Sequence, residues 1–323
     1  MHLRATPAGV PGWRRFRPGA AIRQTADVNA RRFRRRRSIA GIVLTLPALA
    51  VLGATMLYPI GWTVWLSVNG ANTALRGGVD FVGLANYARI VQIIDFRAAL
   101  GQTLGIVAAS FVLEAVLGLA IALALHRSLA GTRVFRAVVA LPLMVAPVVG
   151  ALAWRFMFAD GYGMIDTIAQ QFGYEGPLWF ANVWLARAAV VIANLWLALP
   201  FTVLVLLAGL TALPTDPIEA ARVDGASSWQ ILTKVMLPLL RPVIAVIIVI
   251  RLADAFRIFD VVYVLTGGGP ANRTDVLSTF IYRQMFTVFD FAGGAAASVL
   301  LVIITSVASL AAVLALRDRV REP

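Results

Sequence analysis

The chain of 323 residues has no cysteine, only two histidines, His2 and His126, and a single lysine, Lys234. Without cysteine there can be no disulfide framework, and two histidines alone cannot complete a Cys/His metal site. Cysteine usage therefore says nothing about the redox compartment. A P-loop places lysine directly after glycine to reach the terminal phosphates of a nucleotide. Lys234 follows Thr233, so the chain contains no P-loop. His126 precedes Arg127 at an expected helix end, which suits a solvated terminus better than a catalytic triad. Charge is scarce as well: 14% of residues are charged, against 60% hydrophobic. A chain this apolar is no ordinary soluble domain, and it reads as an all-α polytopic membrane protein.

A bilayer span takes about 20 apolar residues. Six stretches meet that length, at 39–66, 99–125, 134–158, 187–211, 239–265 and 291–316. The first follows a basic flank, as a signal sequence does, but it far exceeds the short apolar core of about 7 to 15 residues. It is read as a retained transmembrane helix. The formal charge of +13 is concentrated at the start, with 11 arginines in the first 37 residues. Lysine and arginine total 20 in the two tails and the loops on their side, against 7 in the alternate loops. This asymmetry orients the spans with both termini in the cytoplasm, and it explains the basic charge without nucleic acid. Trp62, Trp65, Trp154, Trp179 and Trp184 fall near the expected outer interfaces, where amphipathic rings are favoured. The resulting organisation is a basic cytoplasmic tail at 1–37, a transmembrane domain at 38–317 and a short cytoplasmic tail at 318–323. The first tail, rich in Arg, Pro and Gly, is expected to remain solvated near anionic lipid headgroups.

The loop at 212–238 interrupts this apolar pattern on the cytoplasmic side. Asp216, Pro217 and Glu219 suit an N-cap, a first helical position and a capping-box acid, which predicts a helix from Pro217 to Asp224. Gly225 suits the left-handed residue that ends it, and Ser227 or Ser228 can cap a second short helix toward Leu237 and Pro238. Ala220 and Ala221 leave a flat surface that a partner backbone can approach, with Val223, Ile231, Leu232 and Met236 as apolar anchors. Physical chemistry alone leaves two readings open, a docking knob and a plain interfacial connector.

The run Glu219-Ala220-Ala221, with Gly225 four positions on and Val235-Met236-Leu237-Pro238 after nine more, resembles the EAA loop of binding-protein-dependent ABC importer permeases. Val235 stands where the family pattern has Ile. Phe81-Val82-Gly83-Leu84-Ala85-Asn86-Tyr87 and Tyr263-Val264-Leu265-Thr266-Gly267-Gly268-Gly269-Pro270 are similar to segments of the maltose and glycerol-phosphate type of carbohydrate permease. The resemblance implies the permease subunit of an ABC type I importer in a bacterial cytoplasmic membrane, with a sugar as substrate. It further implies a second permease in a heterodimer, two ATP-binding subunits that use ATP and magnesium, and an extracytoplasmic solute-binding protein. No cofactor is expected on this chain. By the same resemblance Glu219, Ala220, Ala221, Asp224 and Gly225 couple to the ATPase.

Polar residues inside the spans complete the picture. Arg251, Asp254, Arg257 and Asp260 recur every three residues in the fifth apolar run. Each charge at a bilayer centre costs about 2.5 to 3.5 kcal/mol, so they must pair or face water. Neighbours of opposite sign predict a neutral ladder along one helix, a role in lining a pathway, or both. At 3.6 residues per turn the row turns by about half a circle from Arg251 to Asp260, so all four are not expected to face one cavity. Glu114 and Asn194 are further polar positions, and Pro200 is a kink position. A sugar offers hydroxyls and an apolar ring face, which makes Asn194, Trp196, Phe201, Arg251 and Asp254 the candidate pathway residues. Gly267, Gly268, Gly269 and Pro270 are either a flexible turn or a contact for the binding protein. Three other functions are left open: an ion-coupled secondary transporter with the charges as relay, a membrane-embedded enzyme, and a permease whose Arg251 recognises an anion such as glycerol phosphate.

Overall fold

The computed structural model describes residues 45–70, 80–126, 131–174 and 176–321. The tail expected at 1–37 lies outside them. The helices are α1 Thr45–Ser67, α2 Ala85–Gln92, α3 Ile94–His126, α4 Thr132–Met144, α5 Pro147–Met157 and α6 Met164–Gln171. They continue with α7 Val183–Thr211, α8 Asp216–Val223, α9 Ser228–Ala255, α10 Asp260–Leu265, α11 Leu277–Phe286 and α12 Phe291–Arg321. Among the described residues the only extended pairing is an isolated bridge between Asn69 and Phe81. Among the described residues five helices, α1, α3, α7, α9 and α12, are long and apolar enough to cross a bilayer. A helix satisfies its own backbone polar groups, as a hydrocarbon environment requires.

The chain divides into two compact units between Gly61 and Trp62. The described part of the first is the helical segment 45–61, whose side chains are exposed at nearly every position. In the second unit α3 and α7 pack along their length. Small residues make this possible: a Cβ on Gly118 of α3 would lie 2.8 Å from Thr202 Cγ2 on α7. Likewise, a Cβ on Gly209 would meet Leu240 and Val243 of α9 at 3.0 Å. Close approach through small residues is a usual way for membrane helices to associate. Around this pair lies an apolar core of Ala122, Val203, Leu206, Leu210 and Leu240, and a second forms where Val190, Ala193, Val261 and Val262 meet. A third joins α2, α3, α11 and α12 through Ile90, Phe96, Leu277, Phe280 and Ala296.

The segment at 81–87 proves to be a clasp. Asn86 Nδ2 donates to Ser67 O at 2.9 Å and to Asn69 O at 2.7 Å, while the Tyr87 and Ser67 hydroxyls meet at 2.6 Å.

Two of the expected spans are not straight helices. The run at 134–158 folds as α4 and α5, bent by 102°. Pro147 is the reason, because a proline drives the preceding residue out of the helical region. Ala146 accordingly has φ −62° and ψ 136°, and Val145 is extended too. Counted as one bent span, this pair brings the total to six. The run at 239–265 stops being helical at Ala255 and resumes at Asp260. Phe256 and Ile258 are both buried, at 3% and 6% exposure. At the break Phe256 N still donates to Leu252 O at 3.4 Å, but Arg257 N donates to Asp254 O at 2.9 Å, a tighter turn in place of the helical repeat.

Candidate functional site

Breaking the helix at Ala255 gathers the four charges. Arg251, Asp254, Arg257 and Asp260 line one cleft of about 320 Å3, together with Asn194 and Phe259. The expectation that they could not face one cavity is therefore corrected, since it assumed an unbroken helix. The expected ladder reduces to one rung, Arg251 Nη1 to Asp254 Oδ2 at 3.2 Å. The closer partner of Arg251 lies on another helix: its Nε donates to Glu114 Oε1 at 2.8 Å. Glu114 also accepts a very short hydrogen bond from the Thr202 hydroxyl. Glu114 and Arg251 are nearly buried, with side chains 6% and 12% exposed, and this pair links α3 to α9. It also borders an apolar pocket lined by Phe111, Leu206, Leu237, Ile244 and Ile247. The ion pair thus separates a polar cleft from an apolar one. Asn194 is within 3.4 Å of Ser110, its Nδ2 directed to the hydroxyl oxygen.

Of the five residues proposed from the sequence for a pathway, Asn194, Arg251 and Asp254 line this cleft, whereas Trp196 and Phe201 do not. Trp196 is two positions from Asn194 and so faces elsewhere on α7. There it packs edge-on to Trp154, with ring centres 6.3 Å apart. Phe201 shares the face of Asn194 but lies about two turns further along. The sequence reading did not single out Phe259, although an aromatic residue next to a charge was a visible signal.

The loop between α7 and α9 has the expected helix with a different start. Thr215, not Asp216, is its N-cap, its carbonyl accepting from Ile218 N at 3.0 Å and Glu219 N at 2.9 Å. No side chain caps this end, so the expected capping box with Glu219 does not form. Pro217 occupies the first turn, where its missing N–H costs nothing. The other end matches expectation. Gly225 has φ +81°, Gly225 N donates to Arg222 O at 3.1 Å, and Ala226 N donates to Ala221 O at 2.9 Å. That pair of bonds is a Schellman motif, which favours glycine at the left-handed position. Ser227 then caps α9, its Oγ accepting from Gln230 N while Gln230 Oε1 accepts from Ser227 N at 2.8 Å. The second helix is not short, however: it opens into a π turn over Leu232–Met236 and continues through Pro238 to Ala255. The wide turn comes just before Pro238, whose ring would otherwise crowd the carbonyl four residues back.

This geometry changes the set of apolar anchors. Ile231 is buried and Met236 packs on the core beneath α9, so neither faces outward. Val223 and Trp229 do, at 87% and 71% exposure. Trp229 was missed in the sequence, hidden among the cap residues of α9. Glu219, Ala220, Asp224 and Gly225 are exposed, and Ala221 is half-buried.

The glycine segment after α10 is tied down by hydrogen bonds. Thr274 N donates to Gly268 O at 3.0 Å, Thr274 Oγ1 to Gly269 O at 2.6 Å, and the Thr266 and Thr274 hydroxyls meet at 2.8 Å. Gly267 and Gly268 have φ +60° and +87°, and a Cβ on Gly268 would reach within 3.0 Å of Asp275 Oδ1. Burial pushes the Asp275 carboxyl above its ordinary value, against the pull of Thr279 and Arg283. On the same side, Arg89 Nη1 and Nη2 hold Asp290 at 2.6 and 3.0 Å. Burial alone would raise the Asp290 carboxyl, but Arg89, the Gly293 N–H and the Gln284 amide outweigh it and hold it below the usual carboxylate range.

Comparison with known proteins adds an independent line. The family model described as "Binding-protein-dependent transport system inner membrane component" matches residues 114–322. The trehalose transport system permease protein SugA of Mycobacterium tuberculosis is 40% identical over 259 residues, covering 80% of this chain and 82% of that protein. The trehalose/maltose transport system permease protein MalF of Thermococcus litoralis is 37% identical over 260 residues, covering 80% and 88%. The sn-glycerol-3-phosphate transport system permease protein UgpA of Yersinia pestis is 33% identical over 265 residues, covering 81% and 88%. Among solved structures, a chain of a bacterial alginate ABC transporter, crystallised with its alginate pentasaccharide-bound periplasmic protein, superposes with a TM-score of 0.76. It is 22% identical, with 88% of this chain and 96% of that one covered, a likeness of fold.

Proposed function

This chain belongs to the family of binding-protein-dependent transport system inner membrane components, and on that premise we propose that it is the permease subunit of an importer for a neutral, disaccharide-class sugar. Trehalose, or trehalose and maltose, are the substrates named for two relatives that share at least 37% of the aligned residues. The observation that carries the neutral reading is the confinement of Arg251. Its guanidinium is held by Glu114 at 2.8 Å and Asp254 at 3.2 Å, and the cleft sets two arginines against two aspartates. At Arg251 an anion would have to displace carboxylates already in place, whereas sugar hydroxyls can bridge a lining of mixed sign. This argues against recognition of glycerol phosphate by Arg251.

In this reading Asn194, Arg251 and Asp254 border the sugar's passage, with Phe259 supplying an aromatic face. Glu219, Ala220, Ala221, Asp224 and Gly225 form the coupling surface, with Val223 and Trp229 as its apolar contacts. The partners are a second permease in a heterodimer, two ATPase subunits that bind ATP and magnesium, and a solute-binding protein on the outer face. Both termini and the α8 loop face the cytoplasm of a bacterial inner membrane. Closure of the ATPases moves α8, and α9 carries that motion to the cleft, exposing it to each side in turn. The test is the complete transporter with its binding protein, assayed for stimulated ATPase activity. Neutral disaccharides should stimulate and glycerol 3-phosphate should not; the reverse pattern would reject the neutral reading.

A further inference from the structure

Four aromatic rings lead away from the charged cleft toward the end of the helices opposite the α8 loop. Phe259 borders the cleft and stacks on Tyr263 with ring centres 5.1 Å apart. Tyr282 lies 5.4 Å from Phe259 and 5.0 Å from Tyr263, and Phe286 lies 5.0 Å beyond Tyr282. None of the four belongs to an apolar core, and Tyr263 and Phe286 are 44% and 59% exposed.

Beside the two tyrosines is a pocket of about 150 Å3, whose polar lining includes Asp275, Arg283 and Thr287. Asp275 is only 5% exposed. Its Oδ1 accepts from the Thr279 hydroxyl, but its Oδ2 is buried without a hydrogen bond. That oxygen is in ion-pair contact with Arg283 Nη2 at 2.8 Å, and the same nitrogen lies 3.4 Å from Asp95 Oδ2. The guanidinium compensates the buried carboxylate, and both of its carboxylate contacts use Nη2. A second anion would be repelled by Asp275 and Asp95, and a purely apolar ligand would offer no acceptor to the guanidinium donors of Arg283 other than Nη2. A neutral ring with one C–H face and a rim of hydroxyls satisfies both the tyrosines and the guanidinium.

We propose that this pocket is a second, low-affinity site for a pyranose ring, which stacks on Tyr263 and Tyr282 and hydrogen-bonds to Arg283. From there the ring passes along Phe259 into the cleft. The pocket has room for one ring, so it takes the leading ring of a sugar while the cleft takes the next. It rests on the sugar reading above.

The absence of cysteine from this chain makes the test clean, because Thr287→Cys supplies its only thiol. In the assembled transporter, the rate at which a polar maleimide labels this chain is compared with and without millimolar trehalose or maltose. Sugar should slow labelling several-fold and glycerol at equal osmolality should not. Tyr282→Ala should remove the protection, while Asn194→Ala in the cleft should retain it. Equal labelling rates in a complex whose ATPase is still stimulated by sugar-loaded binding protein would overturn the outer site and leave the import reading intact. If no sugar in a disaccharide panel stimulates or protects, both fail. Independently of the thiol variant, Tyr282→Ala should raise the KM for uptake several-fold with kcat unchanged, and Tyr282→Phe should restore it. An unchanged KM in Tyr282→Ala would also overturn the proposal.

Discussion

Arg251 is a charge that its surroundings have to hold. With Glu114 beside it the desolvated guanidinium is compensated, and removing that carboxylate leaves the charge buried with only the exposed Asp254 in contact. Breaking a buried pair from one side costs about 3–5 kcal/mol, while replacing both partners by apolar groups is often close to neutral. Glu114→Ala should therefore lower the thermal midpoint of the purified transporter markedly, and Glu114→Ala with Arg251→Met should recover most of the loss. A midpoint unchanged in the single variant would mean that water reaches Arg251. Asp290 gives a residue-level prediction in pH. Its carboxyl sits below the usual carboxylate range, so its contribution is full above the unfolded value of about 3.9 and is lost as pH falls through the lower folded value. The Gly293 amide, which donates to Asp290 Oδ1 at 2.9 Å, should stay protected from hydrogen exchange at pH values just below 4 and open only in stronger acid. Asp290→Ala, which leaves no side-chain oxygen to accept from Gly293 N, should expose this amide even at neutral pH.

At the scale of elements, the α3–α7 contact depends on the absence of a side chain. A Cβ on Gly118 would lie 2.8 Å from Thr202 Cγ2, too close for either helix to stay in place. Overpacking of this kind costs about 1–3 kcal/mol. Gly118→Ala should lower thermal stability by that order, and adding Thr202→Ser should restore it, since serine lacks the methyl group but keeps the hydroxyl bonded to Glu114. No recovery in the double variant would place the strain elsewhere. Elements governed by local chemistry were legible in the sequence: five long apolar helices, the α8 helix, the left-handed Gly225 and the Ser227 cap. What was not legible depends on contacts between distant segments. Glu114 and Arg251 are separated by 137 positions, and nothing in the local spacing of either reveals the other. The end of α9 at Ala255 has no proline or glycine within residues 252–260 to announce it. The bend between α4 and α5 was different, because Pro142 and Pro147 were visible inside an apolar run long enough to look continuous.

At the scale of the molecule, α9 connects the two candidate sites. It begins at the Ser227 cap beside α8 and ends at Ala255 in the wall of the cleft, a run of 28 residues and roughly 40 Å. A displacement imposed on α8 therefore reaches Arg251 and Asp254 through one helix, with the π turn before Pro238 as its softest point. The ATPase surface proposed for α8 must supply both grip and direction. Grip is expected from Val223 and Trp229, the exposed apolar side chains nearest Gly225, because interface energy concentrates in a few large residues. Val223→Ala with Trp229→Ala should weaken association with the ATPase subunit about 30-fold, the equivalent of roughly 2 kcal/mol. Both side chains lie outside the core, so the thermal midpoint of the permease alone should not move. Binding measured between detergent-purified permease and ATPase separates the two effects. Full affinity in the double variant would remove this surface from the docking site, and a fall in both affinity and midpoint would make Trp229 part of the fold instead of the interface.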